Sequence, residues 1–260
     1  MVTIVQSLFY AYLDEGLLPL TGYNPYHMHD YPHAAFTAFM VDDEVHGMDR
    51  GGLALQEIMF FENFASFIKP SNCLVIGNSL GWSTVATALA FGDAKVVGVD
   101  NNPNRNGLDL TNRIFEKLKL KGGAVFGESP NDLERVCSEN LDGPVDFVLI
   151  DAIHNNTAIV SDFNGVNAIA APECVYLFHD VINYKMIEGF KSIIRDSGLD
   201  GRLLTKTTSG MGVAYSKSVV SQEFVDYVTM FSDDPEIFKN YRYMIGQVAD
   251  EMNGLYDEFQ

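Results

Sequence analysis

Val75-Ile76-Gly77-Asn78-Ser79-Leu80-Gly81-Trp82-Ser83-Thr84 is the stretch on which the fold turns. An apolar run beginning at Cys73 enters a glycine-containing turn, and a helical pattern opens at Trp82. Such a strand-to-helix passage needs Gly77 for its sharp bend, and Gly81 is expected to let a ligand approach the helix start. An ordinary strand–helix turn would satisfy the same residues, so the weight falls on what surrounds it. The dinucleotide fingerprint G-x-G-x-x-G is not met by this stretch.

Downstream, short apolar runs recur at Lys95–Asp100, Gly123–Phe126, Val145–Asp151 and Cys174–His179, after the first at Cys73–Gly77. Helical patterns fall between them, near 82–91, 105–119, 130–139, 157–170 and 185–196. Strands apolar on both faces and separated by helices predict a parallel sheet covered on both sides. Two further runs, Arg202–Thr207 and Met211–Ser216, are joined through Ser209-Gly210, a hairpin spacing. The predicted fold is α/β: a doubly wound, seven-stranded, mostly parallel sheet whose last strand is antiparallel. A dehydrogenase would be expected to continue in parallel strand–helix units instead.

The flanks read differently. Residues 1–70 form an N-terminal helical and aromatic cap, with Ile4, Leu8 and Tyr12 on one helix face and Leu53, Phe60, Phe64 and Phe67 on another. Between these faces lies an irregular stretch, Tyr23 to Asp49, that holds His27, His29, His33 and His46. No Cys/His spacing there matches a metal site, so an aromatic loop packed on residues 71–217 is the expectation, with a lid as the functional alternative. Residues 218–260 form an acidic helical tail with nine Asp/Glu against Lys239 and Arg242. Ile237, Tyr241, Met244, Val248, Met252 and Leu255 give it one apolar face, expected to pack on its own domain, a sister subunit or the site mouth. A homo-oligomer through the tail is one expectation.

Composition sets limits. The chain of 260 residues carries a net charge of −18 and is 47% hydrophobic. A full core is available, while phosphate backbones and anionic membranes are poorly matched by so acidic a surface. No apolar run approaches the ~20 residues that cross a bilayer. Cys73, Cys137 and Cys174 are an odd set, two of them inside apolar runs, which predicts buried free thiols and a cytoplasmic location. No secretory signal is read at the N-terminus.

With its neighbours, the opening stretch resembles motif I of class I S-adenosylmethionine-dependent methyltransferases, with Ser79 where the middle glycine is usual. The order of five strand–helix units ending in a hairpin is also that family's. The resemblance implies a cofactor cradle of Gly77, Asn78, Ser79, Gly81 and Ser83. Asp100, about 20 residues on, ends the second strand and would accept the ribose hydroxyls. Asn101 would line the adenine edge. Phe126-Gly127-Glu128-Ser129 resembles the adenine-reading turn, through Glu128 and Ser129. Trp82 is expected to pack in the core. Arg50-Gly51-Gly52 would reach the cofactor carboxylate or form a salt bridge elsewhere.

The fourth strand ends Ile150-Asp151-Ala152-Ile153-His154 and the fifth ends Phe178-His179-Asp180. Ligands of open α/β sheets sit outside such strand ends. The run from Gly51 to Asp180 is similar to metal-dependent O-methyltransferases of the macrocin type and their cephalosporin-hydroxylase-like relatives. That resemblance implies Asp151 and Asp180 as metal ligands and His154 as general base, acting on a small hydroxylated molecule. His179 stands where an acid or amide is usual, and as a ligand it would favour zinc, manganese or iron over magnesium. Asp162 is a third candidate ligand. Two alternatives stay open: metal-independent transfer to N or O, and a protein of the same fold that binds cofactor without catalysis. On the blander reading of the residues, Asp151 bonds loop amides and His154 caps a helix.

Overall fold

Successive residues of the first central strand face opposite ways, and that alternation separates two cores. Cys73 and Val75 join one apolar cluster, Leu74 and Ile76 the other, and all four are fully buried. A strand buried on both faces requires cover on both sides, which the helices provide. The computed structural model describes residues 3–21, 37–42, 44–46 and 52–233.

The chain opens with α1 (Ile4–Leu13), followed by strands β1 (Leu18–Leu20), β2 (Ala38–Val41) and β3 (Glu44–His46), then α2 (Leu55–Phe64). Strand–helix units follow: β4 (Asn72–Ile76), α3 (Trp82–Ala90), β5 (Lys95–Asp100), α4 (Asn106–Leu118), β6 (Gly122–Phe126) and α5 (Leu133–Asn140). Next come β7 (Val145–Ile150), α6 (Asn156–Asn167), β8 (Ala170–Phe178) and α7 (Ile187–Ser197). The described chain closes with β9 (Asp200–Leu204), β10 (Met211–Tyr215) and α8 (Gln222–Met230).

Seven strands form one sheet in the order β6-β5-β4-β7-β8-β10-β9. The first five strands in that order pair in parallel, and β10 inserts antiparallel between β8 and β9. This is the doubly wound sheet with an antiparallel last strand that the sequence predicts. The reversal of strand order between β4 and β7 opens a crevice at their carboxyl ends, where ligands of such sheets bind.

One core lies under α1, α2, α3, α4 and α8, through Tyr12, Phe61, Val85, Ile114 and Phe224. Aromatic rings fill it: Phe61 packs on Phe147 at 5.7 Å between centroids, and Tyr12 on Trp82 at 5.1 Å. The opposite core lies under α5, α6 and α7, through Val136, Phe163 and Phe190. The helices before residue 70 therefore share one core with the sheet. Trp82 is buried in it, its indole N–H donating to the Leu53 carbonyl over 2.8 Å.

The small antiparallel sheet β1-β2-β3 is not anticipated by the sequence reading, which treats that region as irregular. Three- and four-residue strands are too short to show a period of two. The long fifth strand starts at Ala170, four residues earlier than expected, and β9 spans Asp200–Leu204 instead of Arg202–Thr207. The stretch 23–33, Arg50, Gly51 and the tail face from Ile237 to Leu255 lie outside the described residues. Among the described residues no helix is long and apolar enough to cross a membrane. Cys73, Cys137 and Cys174 are buried and unpaired.

Candidate active site

A cavity of about 640 Å³ opens at the carboxyl ends of β4, β5, β7 and β8. Its wall takes Gly77, Ser79, Asp100, Asn101 and Ser129 from one half and Asp151, His154, His179 and Asp180 from the other. Five of the residues expected at the cofactor and four expected at the chemistry thus line one space.

The cofactor half is organised by Asp100. Its Oδ2 accepts the backbone N–H of Asn78 at 3.0 Å and of Ser79 at 2.7 Å, and Oδ1 accepts that of Asn102 at 2.8 Å. Three amide donors fix the carboxylate and use three of its lone-pair sites, two on Oδ2 and one on Oδ1, so Oδ1 keeps one for a further donor such as a ribose hydroxyl. Ser79 adopts φ +46°, the left-handed conformation that explains why glycine is usual there. The donors and cavity suit an adenosyl group.

Three expected cradle residues, and Glu128 of the expected adenine-reading turn, stand outside the cavity wall. Gly81 does not make space for a ligand: with φ +88°, an added Cβ would strike the Thr111 hydroxyl on α4. Asn78 turns inward, bonding Thr84, Thr111 and the Ser79 carbonyl through its side chain. Ser83 is buried and donates to Asp151 Oδ2 over 3.0 Å. Glu128 is exposed and lies outside the cavity wall.

The chemical half is an acid–imidazole cluster. Asp151, His154, His179 and Asp180 offer ligand atoms all within 4.8 Å of one another. His179 is 1% exposed at the side chain and lies 3.0 Å from Asp151 through Nδ1 and 2.8 Å from Glu57 through Nε2. Burial pushes its ring pKa down, but Asp151, Glu57 and Asp180 outweigh that and hold it well above the ordinary histidine range. For Asp151 burial pushes the carboxyl up, yet His179 and His154 outweigh it and keep it well below the ordinary range. Asp180 sits at φ +59°, a conformation that non-glycine residues rarely take, held by Asn183 and by its N–H to Ser209.

Does this cluster fit a divalent cation? His154 Nε2 is buried without a hydrogen bond. It lies 3.3 Å from Asp180 and 3.5 Å from Asp151, at ion-pair separation but without hydrogen-bond geometry. Three carboxylates, Glu57 and Asp180 buried and Asp151 largely so, around one charged imidazole leave negative charge in excess, which a cation would balance. The mixed nitrogen and oxygen donors match a borderline ion. The residues fit. Asp162 does not join them: it is buried, lines the cavity further along, and accepts the Ser129 hydroxyl at 2.6 Å.

Glu57 escaped the sequence reading. It is fully buried on α2 and bonds Ala54, His179 and Ser209. The signal was present, since Glu57 shares the helix face of Phe60, Phe61 and Phe64, where a lone acid must have partners.

Residues 74–181 match the model of the family described as a methyltransferase domain. The sheet order is that of the class I methyltransferase fold. No curated protein matches the chain. Among solved structures, cofactor-bound Rv0187 from MTB is similar, with TM-score 0.55 and 19% identity over 64% of this chain and 82% of that one. The SAH-bound Podospora anserina methyltransferase PaMTH1 gives 0.52 at 18% identity, over 65% and 81%. A methyltransferase from Geobacter sulfurreducens gives 0.52 at 15%, over 62% and 78%. At these identities the likeness is one of fold.

Proposed function

We propose that this enzyme moves the methyl group of S-adenosylmethionine to a hydroxyl of a small molecule, assisted by a divalent ion. The observation that carries the reading is the meeting of Asp100 with Asp151, His154 and Asp180 in one cavity. Asp100 takes a ribose hydroxyl through Oδ1, while Asn101 and Ser129 flank the adenine. Asp151, His179 and Asp180 would hold the ion. A bound cation lowers the pKa of an adjacent alcohol, which otherwise keeps its proton at neutral pH.

His154 accepts that proton at Nε2 as the oxygen attacks the sulfonium methyl. The C–S bond breaks, a C–O bond forms, and neutral thioether cofactor product remains. The imidazole of His154 is stacked on Tyr184 at 4.5 Å, which fixes its plane. Ile153, 67% exposed, offers the acceptor an apolar edge at the mouth. Most of the rate gain comes from holding donor and acceptor in line. The buried free thiols support a reducing, cytoplasmic setting for this chemistry.

One observation favours a metal-free version. Both ring nitrogens of His179 already meet carboxylates, so the cluster is satisfied in part by protons alone. Calorimetry with S-adenosylmethionine and its demethylated product tests the cofactor, expected to bind in the micromolar range. Tight NADH binding with none for S-adenosylmethionine overturns the reading. Methyl transfer that survives chelation moves it to the metal-free version.

A further inference from the structure

We propose that Glu57, on a helix outside the strand ends, is a positioning residue that turns His179 Nδ1 toward the Asp151 and Asp180 oxygens. The cluster thereby becomes a site for an imidazole-binding divalent ion such as zinc, cobalt or manganese in preference to magnesium. This rests on the reading of an ion beside the cofactor.

The argument begins with what Glu57 can do. Its side chain is 0% exposed, and its partners leave it no freedom to swing. Oε1 accepts the Ser209 N–H at 2.8 Å and the Ser209 hydroxyl, while Oε2 accepts the Ala54 N–H at 3.0 Å. Oε2 also faces His179 Nε2 at 2.8 Å. An ionised carboxylate only accepts, so the nitrogen facing it must carry hydrogen. By the same rule Nδ1 donates to Asp151 while no ion is bound, and an ion would take the place of the proton on Nδ1. That atom lies 3.0 Å from Asp151 Oδ1 and 3.3 Å from Asp180 Oδ2.

A carboxylate behind a ligating imidazole is the arrangement that fixes tautomer and ring orientation at metal centres. The fourth group, His154 Nε2, already points inward without a hydrogen bond. An imidazole between two carboxylates is a poor set for magnesium, which demands oxygen ligands and keeps its waters. It suits a softer ion. Ser209 extends the device, because its hydroxyl donates to Glu57 and accepts the Asp180 N–H at 3.3 Å. One buried acid thus sets the positions of both residues that end β8.

Glu57→Gln keeps the shape but not the chemistry: whichever way the amide turns, its NH₂ meets another donor. The full chain would be titrated with cobalt(II) alone and followed by visible absorption, with calorimetry of S-adenosylhomocysteine in parallel. Wild type is expected to bind one cobalt, displaced by zinc and not by a hundredfold excess of magnesium. Glu57→Gln should bind cobalt roughly 10–100-fold more weakly while S-adenosylhomocysteine affinity stays within about twofold. Equal cobalt affinity in wild type and variant overturns the proposal, as does displacement by equimolar magnesium.

Should the variant fail to fold, long-range proton–nitrogen spectra of ¹⁵N-histidine wild type with zinc decide the matter. Nε2 protonated and Nδ1 metal-bound is the expected pattern. The reverse pattern, or unchanged ring shifts, overturns the proposal. Wild type that binds S-adenosylhomocysteine but no cobalt also overturns it and leaves methyl transfer standing. Wild type that binds no S-adenosylhomocysteine strikes the cofactor reading instead.

Discussion

The carbonyl oxygen of Asp151 lies only 1.9 Å from where a Cβ on residue 77 would stand. Gly77 is therefore the hinge between the cofactor turn after β4 and the strand end that presents Asp151. Its neighbours are tied in the same way: Gly77 N–H donates to the Val99 carbonyl at 3.0 Å and Asp151 N–H to the Ile76 carbonyl at 2.8 Å. The two halves of the site share one backbone seam.

Gly77→Ala is expected to break that seam. The methyl group meets backbone, which cannot rotate away, and φ +93° is unfavourable for alanine. A loss of at least about 2 kcal/mol is expected, which for a chain of this size lowers Tm by roughly 4–8 °C. Cofactor affinity should fall with it. Calorimetry and thermal melts check both, and an unchanged Tm would show that the seam gives way.

Asp100→Ala should weaken S-adenosylmethionine binding about 10–100-fold, the range for losing charge-assisted bonds of ~1.5–3 kcal/mol. Asp100→Asn should be nearly as harmful. Its NH₂ must face either the Asn78 and Ser79 amides or the Asn102 amide, and both sides offer only donors. An Asn variant with wild-type affinity would mean that Asp100 serves the loop and not the cofactor.

Asp162→Asn tests a carboxyl that burial raises above the ordinary range, against the opposing Ser129 hydroxyl. A raised folded pKa means the charged form is disfavoured in the fold. Relative stability is then full below the unfolded pKa, about 3.9, and is lost as pH rises through the folded value. Asparagine still accepts from Ser129 without carrying charge. The variant should therefore melt higher than wild type at pH 7, with the gap closing toward pH 3.5. Cobalt affinity should not change, because Asp162 stands outside the ligand cluster. A weaker cobalt site in this variant would restore it as a ligand.

How much of this was legible beforehand follows from the kind of signal each residue leaves. The seven strands show because both faces of β4, β5, β7 and β8 are apolar, and the hairpin shows because Ser209-Gly210 interrupts two such runs. Asp100, Asp151, His154, His179 and Asp180 show because strand ends are counted from those runs. Glu57 shows only as a lone acid on an apolar helix face and Ser209 only as a turn residue, and their place at the site does not show. They lie 122 and 30 residues from His179 in sequence, and only the packing of α2 over the sheet brings them together. Asn78 in the turn and Ser83 in the first turn of α3 point as they do for a related reason: which way each side chain turns depends on Thr111 and Asp151, residues of other elements.

His154 carries the last prediction, because its placement allows two roles that one variant separates. Its Nε2 faces Asp151 and Asp180 at 3.5 and 3.3 Å, where a ligand would stand, yet its side chain is 26% exposed at the cavity mouth, where a base must reach the acceptor. A general base that is removed costs roughly 10²–10⁴ in turnover while ground-state binding is kept. His154→Ala is expected to show that loss with S-adenosylmethionine and cobalt affinities both within about threefold of wild type. Added imidazole should restore part of the rate, since the cavity left beside Tyr184 opens to solvent. If cobalt affinity instead falls in step with turnover and imidazole restores both, His154 is a ligand. The proton must then leave by another route, with solvent at the mouth lined by Ile153 and Tyr184 the nearest acceptor.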